Sequence, residues 1–113
     1  TQGVGEQAAA QMLEDARALE AAGCFSIVLE KIPRELARTI TTAVKVPTIG
    51  IGAGQYCDGQ VLVLHDMLGL YEDFTPKFVK RYANLADLMR RAVEQYRDEV
   101  LKGTFPDAEH SFD

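Results

Sequence analysis

The sequence predicts an α/β fold with a parallel sheet, and three observations carry that expectation. Three apolar runs, Phe25 to Leu29, Val46 to Ile51 and Val61 to Leu64, are too short for helices and are separated by segments with helical or turn signals. The first and third are continuous rather than alternating, the pattern of strands covered on both faces. The order helix, strand, helix, strand, loop, strand, helix is that of right-handed βαβ units. Strands this apolar need cover on both sides and neighbours at both edges. As a complete α/β domain 113 residues are thin for that purpose, so residues 1–113 read as the C-terminal part of one larger barrel domain, with a small open sheet as the alternative.

The first periodic segment runs from about Glu6 to Ala22. Ala9, Met12, Leu13, Ala16 and Leu19 form one stripe, with Glu14, Asp15, Arg17 and Glu20 off it. Gly23 supplies the left-handed residue that ends such a helix. After the strand at Phe25 to Leu29, Pro33 fits a helix start, and Leu36, Ala37, Ile40, Ala43 and Val44 keep a 3.6-residue period. Val46-Pro47-Thr48-Ile49-Gly50-Ile51 is β-branched and has its proline near the strand start, where no ladder donor is lost. Asp58-Gly59 signals a turn, and Val61 to Leu64 then reads as a third buried strand ending at His65-Asp66. A short helix is expected from about Pro76 to Tyr82 and a long amphipathic one from about Leu85 to Lys102. Gly103 and Pro106 stop the latter, and the tail Asp107 to Asp113 is irregular.

Composition narrows the function classes. The chain is 47% hydrophobic and 26% charged, which fits one globular unit with a core and excludes a disordered or collagen-like chain. Its net charge of −5, with both signs interleaved, argues against nucleic acid or an anionic membrane as partner. No apolar stretch approaches the ~20 residues of a membrane span, and Thr1 to Gly5 lacks a signal pattern, so a cytoplasmic location is expected. Cys24 and Cys57 form no C-x-x-C pair and are too few for a zinc site; reduced packing residues are expected.

Glu30 is the candidate catalytic residue. It ends the first strand, immediately before the helix-start signal Lys31-Ile32-Pro33-Arg34-Glu35, at the edge where α/β proteins build active sites. Burial beside an apolar strand would raise its proton affinity and make it a general base. The competing reading is a capping or salt-bridging role with Lys31 or Arg34. Gly50-Ile51-Gly52-Ala53-Gly54 lacks the dinucleotide-binding spacing; backbone phosphate binding and close packing are both open for Gly52 to Gly54. His65 and Asp66, being adjacent on a strand, would point to opposite faces, so a local hydrogen bond at His65 is favoured over an acid–base pair. His110 in the tail is a weaker candidate, and Lys77, Lys80 and Arg81 are expected to face solvent. In parallel strands Glu30, the glycine loop and His65-Asp66 would converge on one opening.

Five blocks taken together carry a resemblance: Leu19 to Gly23, Ser26 to Pro33, Val46 to Gly54, Asp58 to Val63 and Glu109 to Phe112. In order and spacing they are similar to the C-terminal portion of the ketopantoate hydroxymethyltransferase family over nearly the whole chain. The resemblance implies a (β/α)8 TIM barrel of the phosphoenolpyruvate/pyruvate type. It implies transfer of a hydroxymethyl group from 5,10-methylenetetrahydrofolate to 3-methyl-2-oxobutanoate, giving 2-dehydropantoate for pantothenate and coenzyme A biosynthesis. In the family the Glu at the position of Glu30 is the proton acceptor, acting on a keto acid bound to magnesium (Mg2+). The magnesium ligands belong to the N-terminal half of the family's barrel, so none is expected in this chain. The segment alone is therefore expected to be inactive, with the N-terminal half of the barrel as its partner and a large homo-oligomer as the family's assembly. Two other readings stand beside it: a phosphate-binding barrel isomerase or synthase using Gly52 to Gly54, and a non-catalytic half-barrel that assembles with a partner chain.

Overall fold

The computed structural model describes residues 1–113. Its elements are α1 (Glu6–Ala21), β1 (Ile27–Glu30), α2 (Arg34–Ala43), β2 (Thr48–Ile51), β3 (Gly59–Gln60), α3 (Leu64–Met67) and α4 (Leu85–Lys102). They fall into two compact units, one of Thr1–Val63 with Pro76–Val79, the other of Leu64–Thr75 with Lys80–Asp113.

In the first unit the strands form a parallel sheet in the order β1-β2-β3. The parallel α/β arrangement expected from the sequence is therefore present. Side chains alternate across a strand, and the register pairs Ile27 with Thr48 and Leu29 with Gly50 on one face, Val28 with Ile49 and Glu30 with Ile51 on the other. The first face is covered. Ile27 and Leu29 are buried with Ala16 of α1, Ile32, and Leu36, Ala37, Ile40 and Val44 from α2 and its end. Ala16, Leu36, Ala37, Ile40 and Val44 are residues that the helical period placed on apolar stripes, whereas Leu19 of the α1 stripe is exposed; removal of this core from water is the main driving force of the unit.

The second face is not covered, which corrects the expectation that the continuous run Phe25 to Leu29 is buried on both sides. Val28 is 59% exposed on that face, and Phe25, which lies before the strand begins, is 88% exposed. The run is apolar except for Ser26, but α1 and α2 both pack on the Ile27 and Leu29 side.

Polar ties fix the loops. Thr48 is completely buried; its N–H donates to Asp58 Oδ2 (2.9 Å), its Oγ1 accepts from the Asp58 N–H (3.2 Å) and pairs with Thr41 Oγ1 (2.8 Å). The turn before β3 is thereby bound to the start of β2. Glu20 Oε2 accepts from the backbone N–H groups of Lys45 (2.5 Å) and Val46 (3.0 Å), joining the end of α1 to the loop that enters β2. At the C-terminus of α1, Gly23 has φ +100° and the Cys24 N–H returns to the Leu19 carbonyl at 3.3 Å, so the glycine stop is as expected. Cys24 and Cys57 are free and partly buried against the core.

Two expected elements differ. The third strand is Gly59–Gln60 rather than Val61 to Leu64. Pairing with β2 extends one further bond, from the Val61 N–H to the Gly50 carbonyl at 3.0 Å. It then ends because β2 itself stops at Ile51 and Gly52 turns the chain at φ +65°. The expected helix from Pro76 to Tyr82 is a single turn closed by the Val79 N–H on the Pro76 carbonyl. Seven residues cannot offset the cost of helix nucleation without an apolar face to dock.

In the second unit α3 leads through Gly69 into an extended passage and α4. Gly69 has φ +68°, and a Cβ there would stand 2.4 Å from the Ala83 carbonyl oxygen and 3.1 Å from the Asn84 Cα. That close approach lets the Leu68 and Gly69 carbonyls receive the N–H groups of Leu85 and Ala86 at 3.0 and 3.2 Å. The first donors of α4 are thus satisfied by backbone, without a side-chain cap. Gly103, at φ +74°, ends α4 in the left-handed conformation. The tail returns along the helix, with the rings of Tyr96 and Phe105 edge to face at 5.7 Å.

Candidate functional site

Because β1 and β2 are parallel, Glu30, Ile51 and the loop Gly52 to Gly54 lie at one edge of the sheet. This is the carboxyl edge, where parallel α/β proteins gather catalytic groups. Glu30 pairs in register with Ile51 and shares the helix-free face with Val28 and Ile49. Its carboxylate forms no salt bridge with Lys31 or Arg34, so the ion-pairing role weighed against catalysis finds no partner. Glu30 is exposed. The expectation that this chain buries it is therefore corrected: the residue stands on the open face of the sheet.

The backbone around Glu30 is more constrained than the strand pattern implies. Lys31 has φ +52°, the only non-glycine residue in the left-handed region, where a Cβ is crowded. Its N–H donates to the Ile51 carbonyl at 2.9 Å, and its own carbonyl accepts the Gln2 N–H at 2.7 Å. Nothing in the residue type of Lys31 signals this conformation.

The glycine loop has a packing reason at each position. A Cβ on Gly52 would lie 2.9 Å from the Phe78 ring, and one on Gly54 would lie 2.3 Å from Arg34 Cβ and 3.1 Å from its Cα. Gly52 and Gly54 also have φ of +65° and +82°. Ala53 between them is completely buried, and Gln60 Nε2 donates to the Gly54 carbonyl at 2.8 Å. Of the two readings left open by the sequence, close packing is the one with contacts behind it.

His65 and Asp66 lie in α3 rather than at a strand end, because the third strand stops before Val61. His65 is exposed, and only its backbone carbonyl is engaged, by the Leu70 N–H at 2.8 Å. The convergence expected of Glu30, the glycine loop and His65-Asp66 on strand ends thus reduces to the first two. Lys77, Lys80 and Arg81 are exposed, as expected, and Arg81 donates to the Tyr71 carbonyl at 2.7 Å. The residues close enough to share one metal ion are Asp107, Glu109 and His110 in the tail; all three are exposed, and His110 Nδ1 is already paired with Asp107 Oδ1 at 2.6 Å. None of them belongs to the sheet. No helix is long and apolar enough to cross a membrane.

Residues 1–108 match a family described as Ketopantoate hydroxymethyltransferase. A 3-methyl-2-oxobutanoate hydroxymethyltransferase of Syntrophus aciditrophicus is 62% identical over 111 residues, which is 98% of this chain and 41% of that protein. Proteins of the same name from Oleidesulfovibrio alaskensis and Moorella thermoacetica are 61% and 60% identical over 98% of this chain, covering 38% and 41% of their lengths. The chain thus spans about two fifths of the length of these curated relatives. With a matched profile over nearly its full length and identity of this order, the chain belongs to the ketopantoate hydroxymethyltransferase family.

Proposed function

We propose that the polypeptide to which this segment belongs transfers a hydroxymethyl group from 5,10-methylenetetrahydrofolate to 3-methyl-2-oxobutanoate, forming 2-dehydropantoate, and that Glu30 is its general base. The observation that carries the assignment is the position of Glu30: last residue of a parallel strand, on the helix-free face, without a cationic partner. Family membership and the shared name of the relatives support the substrate class.

In this reading the segment belongs to the later part of one (β/α)8 barrel, and the sheet face carrying the exposed Val28 and Glu30 and the half-buried Ile49 and Ile51 is the barrel's inner side. The Glu30 carboxylate takes the proton from C3 of the keto acid. Water cleaves the methylene carbon from its two folate nitrogens, which take up the water protons to leave tetrahydrofolate; the formaldehyde-level unit so released accepts the C–H electron pair, its oxygen takes the proton back from Glu30, and the ketone oxygen carries charge in passing. Removing water from this face falls to the remaining strands, since the helices of the first unit pack on the opposite one.

Magnesium, implied by the resemblance, does not fit a ligand set on this sheet. The one cluster of suitable spacing is the exposed tail group, which includes a histidine, whereas magnesium prefers carboxylate and water oxygens in a regular octahedron. Its ligands are accordingly proposed to lie in the part of the protein outside these residues. The same barrel reading goes with assembly into a large homo-oligomer in the cytoplasm.

Exchange of the C3 proton of the keto acid with deuterated solvent, followed by proton NMR, tests the role of Glu30. In a full-length enzyme carrying this segment, Glu30→Gln is expected to slow exchange by roughly 100- to 10,000-fold while keto-acid binding persists. Exchange at the parent rate would remove Glu30 from the mechanism.

A further inference from the structure

We infer that Lys31 is a positioning residue for Glu30, acting through its backbone and not through its ammonium group. The inference rests on the reading of Glu30 as base. A residue that follows a strand-end carboxylate ordinarily continues in the extended or right-handed region. Lys31 instead adopts φ +52°, alone among the non-glycine residues of the chain. Such conformations persist where the surroundings over-determine them, and they concentrate at functional sites.

The surroundings here are specific. The Lys31 N–H is held by the Ile51 carbonyl at 2.9 Å, which extends the β1–β2 ladder one residue past Glu30. The Lys31 carbonyl is held by the Gln2 N–H at 2.7 Å, from the segment preceding α1. The peptide on the carboxyl side of Glu30 is therefore fixed at its nitrogen, and the following one at its oxygen, with an abrupt change of direction between them. Beyond it the chain drops into Ile32, which is buried in the core, and Pro33, which opens α2. Two demands meet at one residue. Glu30 must remain on the helix-free face in register with Ile51, and Ile32 must reach the core on the opposite side. The left-handed Lys31 meets both demands while keeping these two hydrogen bonds. The Lys31 side chain is exposed and forms no salt bridge, so its charge has no part in the arrangement.

Substitutions at Lys31 in a full-length enzyme carrying this segment separate the backbone from the side chain. Lys31→Val puts a β-branched residue where positive φ is least tolerated; Lys31→Gly and Lys31→Asn remove the amine but accept that φ. Lys31→Val is expected to lower kcat about tenfold to a hundredfold, the size of a small misplacement of a reacting group, with KM for the keto acid changed less than about threefold. Lys31→Gly and Lys31→Asn restore most of the rate. Misalignment also makes proton transfer slower relative to other steps, so the deuterium isotope effect on kcat with keto acid labelled at C3 rises in Lys31→Val. A mere loss of folded enzyme leaves that isotope effect unchanged. Should Lys31→Val not fold, Lys31→Ala against Lys31→Gly makes the same comparison with a smaller contrast. An unaltered rate and isotope effect in the β-branched or alanine variant overturns the inference, as do equal losses in all variants, which would assign the role to the amine. Glu30→Gln assayed alongside separates the two levels: if it keeps C3 exchange, the base assignment fails, whereas its loss beside a normal Lys31→Val removes only the positioning role.

Discussion

At the scale of single residues, the positions that matter most are held by partners distant in sequence. Thr48 looks like an ordinary β-branched strand residue, yet it is buried with its hydroxyl between Thr41 and Asp58. Thr48→Val keeps the shape and leaves the Asp58 N–H and the Thr41 hydroxyl without their partner, and leaving such groups unpaired costs about 1–3 kcal/mol. A lower urea midpoint with an unchanged slope would show it; an unchanged midpoint would mean that water replaces the hydroxyl. Glu30 is the opposite case. Its place at the carboxyl end of a strand was legible from the apolar run and the helix-start signal that flank it, but its exposure was not, because a run with apolar residues at successive positions does not reveal which face has cover.

Among elements, helix boundaries were the most legible feature. Gly23 and Gly103 mark helix ends where expected, and the periods of α1 and α2 place Ala16, Leu36, Ala37 and Ile40 in the core, whereas α4 buries none of its residues. The third strand and the Pro76–Tyr82 helix were misread for one reason. Apolar runs of four residues and periods of seven carry too little signal to choose among strand, turn and helix, and tertiary neighbours decide. Glu20 shows the same limit: the helical period sets it off the apolar stripe, but its carboxylate receives two backbone N–H groups from the loop entering β2. Glu20→Ala is expected to cost about 1 kcal/mol, reduced from a buried charged hydrogen bond by its partial exposure. Faster amide exchange at Lys45 and Val46, with slow exchange kept in the middle of α2, would be the local signature. Uniformly unchanged exchange would deny Glu20 this role.

For the whole molecule, the decisive quantity is how much of the proposed barrel the chain contains. It covers about two fifths of its curated relatives, and the sheet face bearing Glu30 lacks cover within these residues. Two consequences are expected of the 113-residue segment by itself. It forms no 2-dehydropantoate from the keto acid and 5,10-methylenetetrahydrofolate, as followed by mass spectrometry, because neither a water-excluding enclosure nor an oxygen-rich metal site stands beside Glu30. It also binds an environment-sensitive apolar dye, since Val28 and its neighbours present a face of the kind that marks a missing partner surface. Turnover by the segment alone would refute the barrel-dependent reading of the site.

The sequence by itself determined the α/β class, the parallel strands, the extents of the three longer helices and the family, because these rest on local periodicity, stop signals and spaced blocks of identity. Only the tertiary structure decided which face of the sheet is covered, that Gly52 and Gly54 are glycines for packing, and that Lys31 is bent into the left-handed region behind Glu30. These are set by contacts among Phe78, Arg34, Ile51 and Gln2, and no local pattern in the chain encodes contacts between residues so far apart.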